Sequence, residues 1–249
     1  MRLLLIRHGE SQGNAERRVQ GWFDSPLTDT GRDQIRALAR RLEKDGWGVT
    51  ALYASTLRRA TESGEILAAT LGVPLVLDDR LREYDIGVFT GLTWEEVKRR
   101  FPNLVAQWET GSRRPPIPGE EGNSAFCTRV VAAFEDIAVA HPAEATVGVV
   151  AHGGTFNVYL KHLLGLDIAM RGPFSFSNAA LNVIEWEEWG PRITLLNDTC
   201  HLANGEWRMA NGEYGKWLPA RGTPTASLVP RRRVSRRAVD EYSSGRVSG

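Results

Sequence analysis

The chain has few of the features that would mark it as exported, membrane-bound or nucleic-acid-binding. Its 249 residues hold only two cysteines, Cys127 and Cys200, far apart and in no CxxC pattern. That excludes a disulfide framework or a Cys-rich zinc site and predicts free thiols in a reducing compartment. No apolar run approaches the ~20 residues of a membrane helix. The amino-terminal run Leu3–Ile6 is also shorter than the ~7 residues of the smallest signal-peptide core. Basic and acidic residues nearly cancel, 31 against 30, so no global field favours nucleic acid. The expected location is cytoplasmic, with neither membrane nor nucleic acid as partner. Asn197-Asp198-Thr199 matches a glycosylation sequon, but without a secretory signal it reads as accidental.

What is present is a core. Hydrophobic residues make up 42% of the chain, enough for one sizeable domain. Leu3–Ile6, Ala51–Ala54, Leu75–Leu77 and Thr146–Ala151 read as short buried strands. Between them lie helical patterns. Thr28 caps a helix to about Asp45, with Ile35, Leu38, Ala39 and Leu42 on one face. A second helix spans Leu57 to Leu71 and stops at Gly72 and Pro74. Two short helices break at Pro102, and a loop covers 111–123. Phe126, Val130, Phe134 and Ile137 mark a longer helix ending near His141-Pro142. Another helix runs from Phe156 to Leu164. Residues 180–186 and 192–196 read as a hairpin. Strands alternating with helices imply a largely parallel α/β sheet covered on both faces.

The last thirty residues differ. From Arg221 onward seven Arg face only Asp240 and Glu241, an excess of five positive charges. Pro, Ser and Gly are frequent and apolar periodicity is missing. The expected organisation is one domain over 1–219 and a disordered basic tail over 220–249.

Two segments share one grammar: an apolar strand that ends on histidine and glycine. They are Leu3 to Gly9, with Arg7-His8-Gly9, and Gly148 to Thr155, with His152-Gly153-Gly154. Parallel sheets bind ligands at the carboxyl ends of their strands, so His8 and His152 are expected at one rim.

Three chemistries compete for these residues. His8, His152 and a carboxylate such as Glu83 could hold zinc, but Arg7 is fused to His8 and HExxH spacing is missing. Gly9-Glu10-Ser11-Gln12-Gly13 matches G-x-S-x-G after a strand. A hydrolase elbow, however, follows several earlier strands, and its HGG loop precedes the serine. Phosphoryl transfer fits best. A phosphate dianion needs fixed cations and donors. Arg7 adjoins His8, Gly9 lets backbone approach an anion, and Arg58-Arg59 opens the helix after strand 51–54. A neutral imidazole attacks phosphorus, and nearby arginines favour the neutral form. Glu83 or Asp85, after strand 75–77, could protonate the leaving oxygen.

Leu5-Ile6-Arg7-His8-Gly9-Glu10-Ser11 with Asn14 resembles the signature of the histidine phosphatase superfamily, phosphoglycerate-mutase-like branch. QGWFDSPLTDTG (20–31), YASTLRRATES (53–63), LREYDIGVFTGLTWEE (81–96), VVAHGGT (149–155) and LNDTCHL (196–202) resemble further segments of that family, in the same order. The resemblance covers about residues 1–202. It implies a three-layer α/β/α sandwich. It also implies His8 as nucleophile through a phosphohistidine, with Arg7, Arg59 and His152 around the phosphoryl group. Glu83 would be acid, then base. Ser11, Asn14, Gln20, Gly21 and Gly153, with Gly9, would line the phosphate and substrate pocket. No metal or cofactor is implied.

Relatives often carry P-G-x-E-S before the long helix. Here Pro118-Gly119-Glu120-Glu121-Gly122-Asn123-Ser124 displaces the serine. His152 follows Glu83 by only 69 positions, short for the lid of cofactor-dependent mutases. A phosphatase acting on a small phosphorylated metabolite is therefore expected ahead of a mutase. Sugar phosphates, phosphoglycerate derivatives, nucleotide-related esters and α-ribazole phosphate stay open, as does assembly as a homodimer. Trp22, Phe23, Phe89 and Trp94 are candidates for the pocket wall or for core. His141, His162 and His201 are expected to be packed residues, Asp85 a loop-stabilising carboxylate and Arg58 a solvated one.

Overall fold

The computed structural model describes residues 1–110, 115–167 and 172–202; the expected tail lies outside them. Strands β1 (Arg2–Arg7), β2 (Val49–Ser55), β3 (Leu75–Asp78), β4 (Thr146–Ala151), β5 (Leu181–Glu187) and β6 (Gly190–Asp198) form one sheet in the order β3-β2-β4-β1-β5-β6. The first four are mutually parallel, and β5 and β6 add an antiparallel hairpin.

Strand alternation builds the layers. Leu3 and Leu5 of β1 point to one face, and Leu4 and Ile6 to the other. The first face is covered by α6 (Asn123–Val139) and α7 (Gly153–Leu163) through Phe126, Val130, Phe134, Phe156 and Leu160. The second is covered by α2 (Asp29–Lys44) and α3 (Arg58–Leu71) through Ile35, Leu38, Leu42, Ala60 and Leu67. The result is the three-layer sandwich that the resemblance implied, its sheet covered on both faces as the alternating pattern implied. Thr28 caps α2 by accepting from Gly31 N, and Gly72 closes α3 in the left-handed region.

The differences are local. Helix α7 begins at Gly153, three residues before its first apolar position, because glycines carry no hydrophobic signal. A four-residue helix α1 (Gln12–Ala15) follows β1, too short to show periodicity. The two short helices, α4 (Trp94–Arg100) and α5 (Pro102–Thr110), meet where expected. They enclose a small separate core with Phe89, Val97, Val105, Ile117 and Trp94. Phe89 and Trp94 are thus core. Both cysteines are free, Cys127 buried and Cys200 exposed. His141 packs edge-on against Tyr53 and His201 is partly buried. His162 departs from expectation: its ring is 43% exposed, 3.8 Å from Glu135.

Candidate active site

Register sets the centre of the site. Strands β1 and β4 are neighbours, with Arg7 opposite Ala151, so the next residues, His8 and His152, emerge side by side. Their rings lie 5.1 Å apart. Strand β2 ends on Ser55, and the first turn of α3 brings Arg59 back over the same rim. Glu83 arrives from the loop after β3. Arg7, His8, Arg59, Glu83 and His152 therefore meet at the carboxyl end of the sheet, where their charges act on one another.

The nucleophile candidate has a defined tautomer. His8 is 3% exposed, and its Nδ1 lies 2.7 Å from the Gly9 carbonyl. A carbonyl only accepts, so Nδ1 carries the proton and Nε2 is left with a lone pair. Burial, then Arg59 and Arg7, hold His8 well below the ordinary histidine range; the Gly9 bond opposes them weakly.

His152 is fixed from behind. Its Nε2 is 2.8 Å from Ser55 Oγ, which itself accepts from Leu57 N. The Ser55 hydroxyl proton is then free to go to Nε2, and a neutral His152 carries its own proton on Nδ1. Burial, then Arg59, His8, Arg7 and Arg129, keep this ring neutral.

Three buried nitrogens at this centre, Arg7 Nε, Arg59 Nε and His152 Nδ1, have no hydrogen-bond partner among the described residues. Leaving a buried donor unpaired costs about 1–3 kcal/mol each, so the cluster is built to receive acceptor oxygens. The arginines are otherwise anchored on backbone. Arg7 donates to the Phe176 carbonyl, and Arg59 to the carbonyls of Phe23 at 2.8 Å and Gly21 at 2.9 Å. Burial lowers Arg59 to about 10, with Glu83 opposing; it stays cationic at neutral pH. Arg58, by contrast, is exposed and pairs with Glu62 at 2.7 Å.

Glu83 uses both oxygens. Oε1 accepts from Tyr84 N at 2.8 Å and Oε2 from Gly154 N at 2.9 Å. Asp85 accepts from Gly87 N and stiffens the loop.

The remaining candidates form a supporting ring. Ser11 is fully buried and caps α1. Its hydroxyl bonds Asn14 Oδ1 and Gln20 Oε1, each at 2.9 Å, and no histidine. Gly9 also admits a neighbouring backbone. A Cβ there would lie 2.4 Å from the Gly31 carbonyl, so the glycine lets β1 approach α2. Gly21, at φ +48°, supplies the carbonyl that holds Arg59. Gly153 has open space around its Cα, with Phe176 the nearest neighbour.

Four contributors carry no signal of their role in the sequence: Ser55 and Glu121, which lie in segments singled out for other residues, and Arg129 and Asn178. Asn178 Nδ2 reaches the carbonyls of His8 and Gly9 and Oδ1 of Asn14. Each acts on residues at least 36 positions away, which no periodicity reveals. Among the described residues no three His, Cys, Asp or Glu side chains group as for a metal ion.

Such a rim, with paired histidines and arginines on a three-layer sandwich, defines a class of phosphate-ester enzymes. The chain belongs to the histidine phosphatase superfamily (branch 1), whose family profile matches residues 3–199. In particular, it is 31% identical over 202 residues to phosphoserine phosphatase 1 of Hydrogenobacter thermophilus, covering 81% of this chain and 94% of that one. It is 32% identical over 215 residues to a probable phosphoglycerate mutase GpmB of Enterobacter sp., covering 81% and 95%. The solved structure of Bacillus stearothermophilus YhfR superposes with a TM-score of 0.72 at 30% identity, covering 81% and 98%.

Proposed function

We propose that this chain is a metal-independent phosphomonoesterase that works through a phosphohistidine on His8. Its substrate would be a small phosphorylated metabolite in the cytoplasm. The observation that carries the reading is the set of three unpartnered buried donors, on Arg7, Arg59 and His152, around the His8 ring. They suit the equatorial oxygens of a transferring phosphoryl group, where charge spreads in the transition state.

In the first step His8 Nε2 attacks phosphorus, the P–O bond to the alcohol breaks, and Glu83 gives its proton to the leaving oxygen. In the second, the Glu83 carboxylate takes a proton from water. That oxygen attacks phosphorus, and the P–N bond breaks to return His8 to its neutral form. Asn14, Gln20, Gly21 and Gly153 frame the pocket, with Ser11 and Gly9 holding the first loop. We take residues 1–219 as the catalytic domain and 220–249 as the basic tail; residues 203–249 lie outside the described residues.

A mutase is the second reading, favoured by the GpmB-like relative. It uses the same phosphohistidine but returns the group to substrate. A screen of phosphomonoesters with purified protein, run beside a 3- to 2-phosphoglycerate conversion assay, separates the two. His8→Ala should abolish phosphate release, whereas Ser11→Ala should only reduce it, with a capping loss of ~1 kcal/mol. An active His8→Ala enzyme would end the proposal.

A further inference from the structure

We infer that Arg129, with Glu121 and Trp22, is a positioning device for Glu83. The inference rests on Glu83 being the acid. The Arg129 guanidinium has five N–H groups, and all five are used. Nε and Nη2 bind the two oxygens of Glu121, at 2.9 and 2.7 Å. Nη1 reaches the carbonyls of Arg80 and Arg82, at 2.8 and 2.7 Å, and Nη2 reaches that of Glu83 at 2.9 Å. One planar group on α6 thus pins three carbonyls of the segment that ends on Glu83.

The same segment is held from other sides. Trp22 Nε1 donates to the Glu83 carbonyl at 2.7 Å, so that single oxygen receives bonds from both Trp22 and Arg129. Glu121 Oε1 also accepts from Asp85 N at 2.8 Å, just past Glu83. Arg129 lies 4.8 Å over the Phe126 ring and Arg82 5.0 Å over the Trp22 ring, so each clamp also packs against a cation–aromatic contact. The Arg129 and Glu121 side chains are only 18% and 14% exposed, so water does not readily replace these bonds.

The chemical need is plain. A general acid must sit within hydrogen-bond reach of the oxygen it protonates, and small displacements are costly. Glu83 lies in a loop between two 3₁₀ turns, Asp79–Leu81 and Gly87–Phe89, the first of them following the four-residue strand β3. Neither element is long enough to fix a carboxyl to a fraction of an ångström. The guanidinium fork supplies that rigidity, and a lysine cannot, since one ammonium cannot span three carbonyls and a carboxylate.

The test is a leaving-group series of substituted phenyl phosphates on the full chain. It runs from p-nitrophenol to phenol, whose pKa is about 10, that of tyrosine. Wild type should depend little on leaving-group pKa, because Glu83 protonates the departing oxygen. Glu83→Gln should depend on it steeply. Arg129→Lys keeps the charge facing His152 but loses the fork. It should lose about tenfold in the rate for phenyl relative to p-nitrophenyl phosphate, part of the ~10²-fold or more an acid supplies. Trp22→Phe, at a position 37% exposed, should shift the ratio in the same direction. It decides the matter if Arg129→Lys does not fold. A general structural loss would lower both rates together and leave the ratio fixed; that result overturns the inference. If Glu83→Gln itself leaves the ratio unchanged, the acid assignment fails and the clamp with it.

Discussion

Glu83 rests on the amino end of the helix that follows His152: its Oε2 accepts from Gly154 N at 2.9 Å. A Cβ on Gly154 would stand 2.1 Å from Glu83 Oε1. The glycine is therefore a seat for the acid. Because the clashing group is the end of a side chain, Gly154→Ala should displace the carboxyl without unfolding the protein. We expect a melting temperature near wild type and a ~10- to 100-fold loss of kcat for esters of poor leaving groups. Steady-state kinetics with alkyl and p-nitrophenyl esters, beside thermal melts, check this. An unchanged kcat for alkyl esters would show that the seat does not matter.

Ser55 and His152 form a tautomer lock across 2.8 Å. Removing the hydroxyl lets the neutral ring place its proton on either nitrogen. Ser55→Ala should then lower kcat several-fold and weaken inhibition by inorganic phosphate or vanadate, while Ser55→Thr should restore part of both. Inhibition constants for the three proteins provide the measurement. Equal affinities in all three would remove Ser55 from the account.

The histidines give stability a direction with pH. Burial first, then Arg59, holds both His8 and His152 well below their ordinary value of 6.5. Burial and then Arg41 lower His201 to about 4. All three rings bind protons more readily in the unfolded chain. Stability should be full above pH 6.5 and should fall as the pH drops below it. For the same reason the acid limb of kcat/KM should not come from His8 at pH 6–7. Urea titrations from pH 8 to pH 4 test the first claim. A midpoint that rises on acidification would contradict it.

The arginine-built site leads to an expectation of metal independence. Arg7 and Arg59 supply the charge that a divalent ion supplies in other phosphatases. Exhaustive dialysis against a chelator should leave kcat/KM within about twofold, a small fraction of the several kcal/mol a Lewis acid contributes. Loss of activity restored by one particular divalent ion would be the opposing result.

Much of this architecture was legible in the sequence, for identifiable reasons. Leu3–Ile6 and Thr146–Ala151 are wholly buried strands, so their apolar runs stand out, and Ile35, Leu38 and Leu42 keep helical spacing. His8 and His152 were visible because each follows such a run. Arg129 was not. It sits on a helix face otherwise marked by Phe126, Val130 and Phe134, and the carbonyls it holds lie 46 to 49 positions upstream. The segment 118–124 drew notice for its displaced serine. Its consequential residue is Glu121, which braces Arg129. Gly9 carries no sequence signal for the Gly31 carbonyl that lies against it, because the two meet only in the fold.

The central claim is that His8 carries the phosphoryl group and that Glu83 acts in both steps. Glu83→Gln cannot activate water, yet p-nitrophenyl phosphate needs little protonation to leave. Rapid acid-free quench of this variant with radiolabelled p-nitrophenyl phosphate should trap a phosphoenzyme. The label should be acid-labile and base-stable, as a phosphoramidate is, and peptide mapping should locate it on His8. A base-labile label on Ser11, or no label while product still forms at the wild-type rate, would contradict the account.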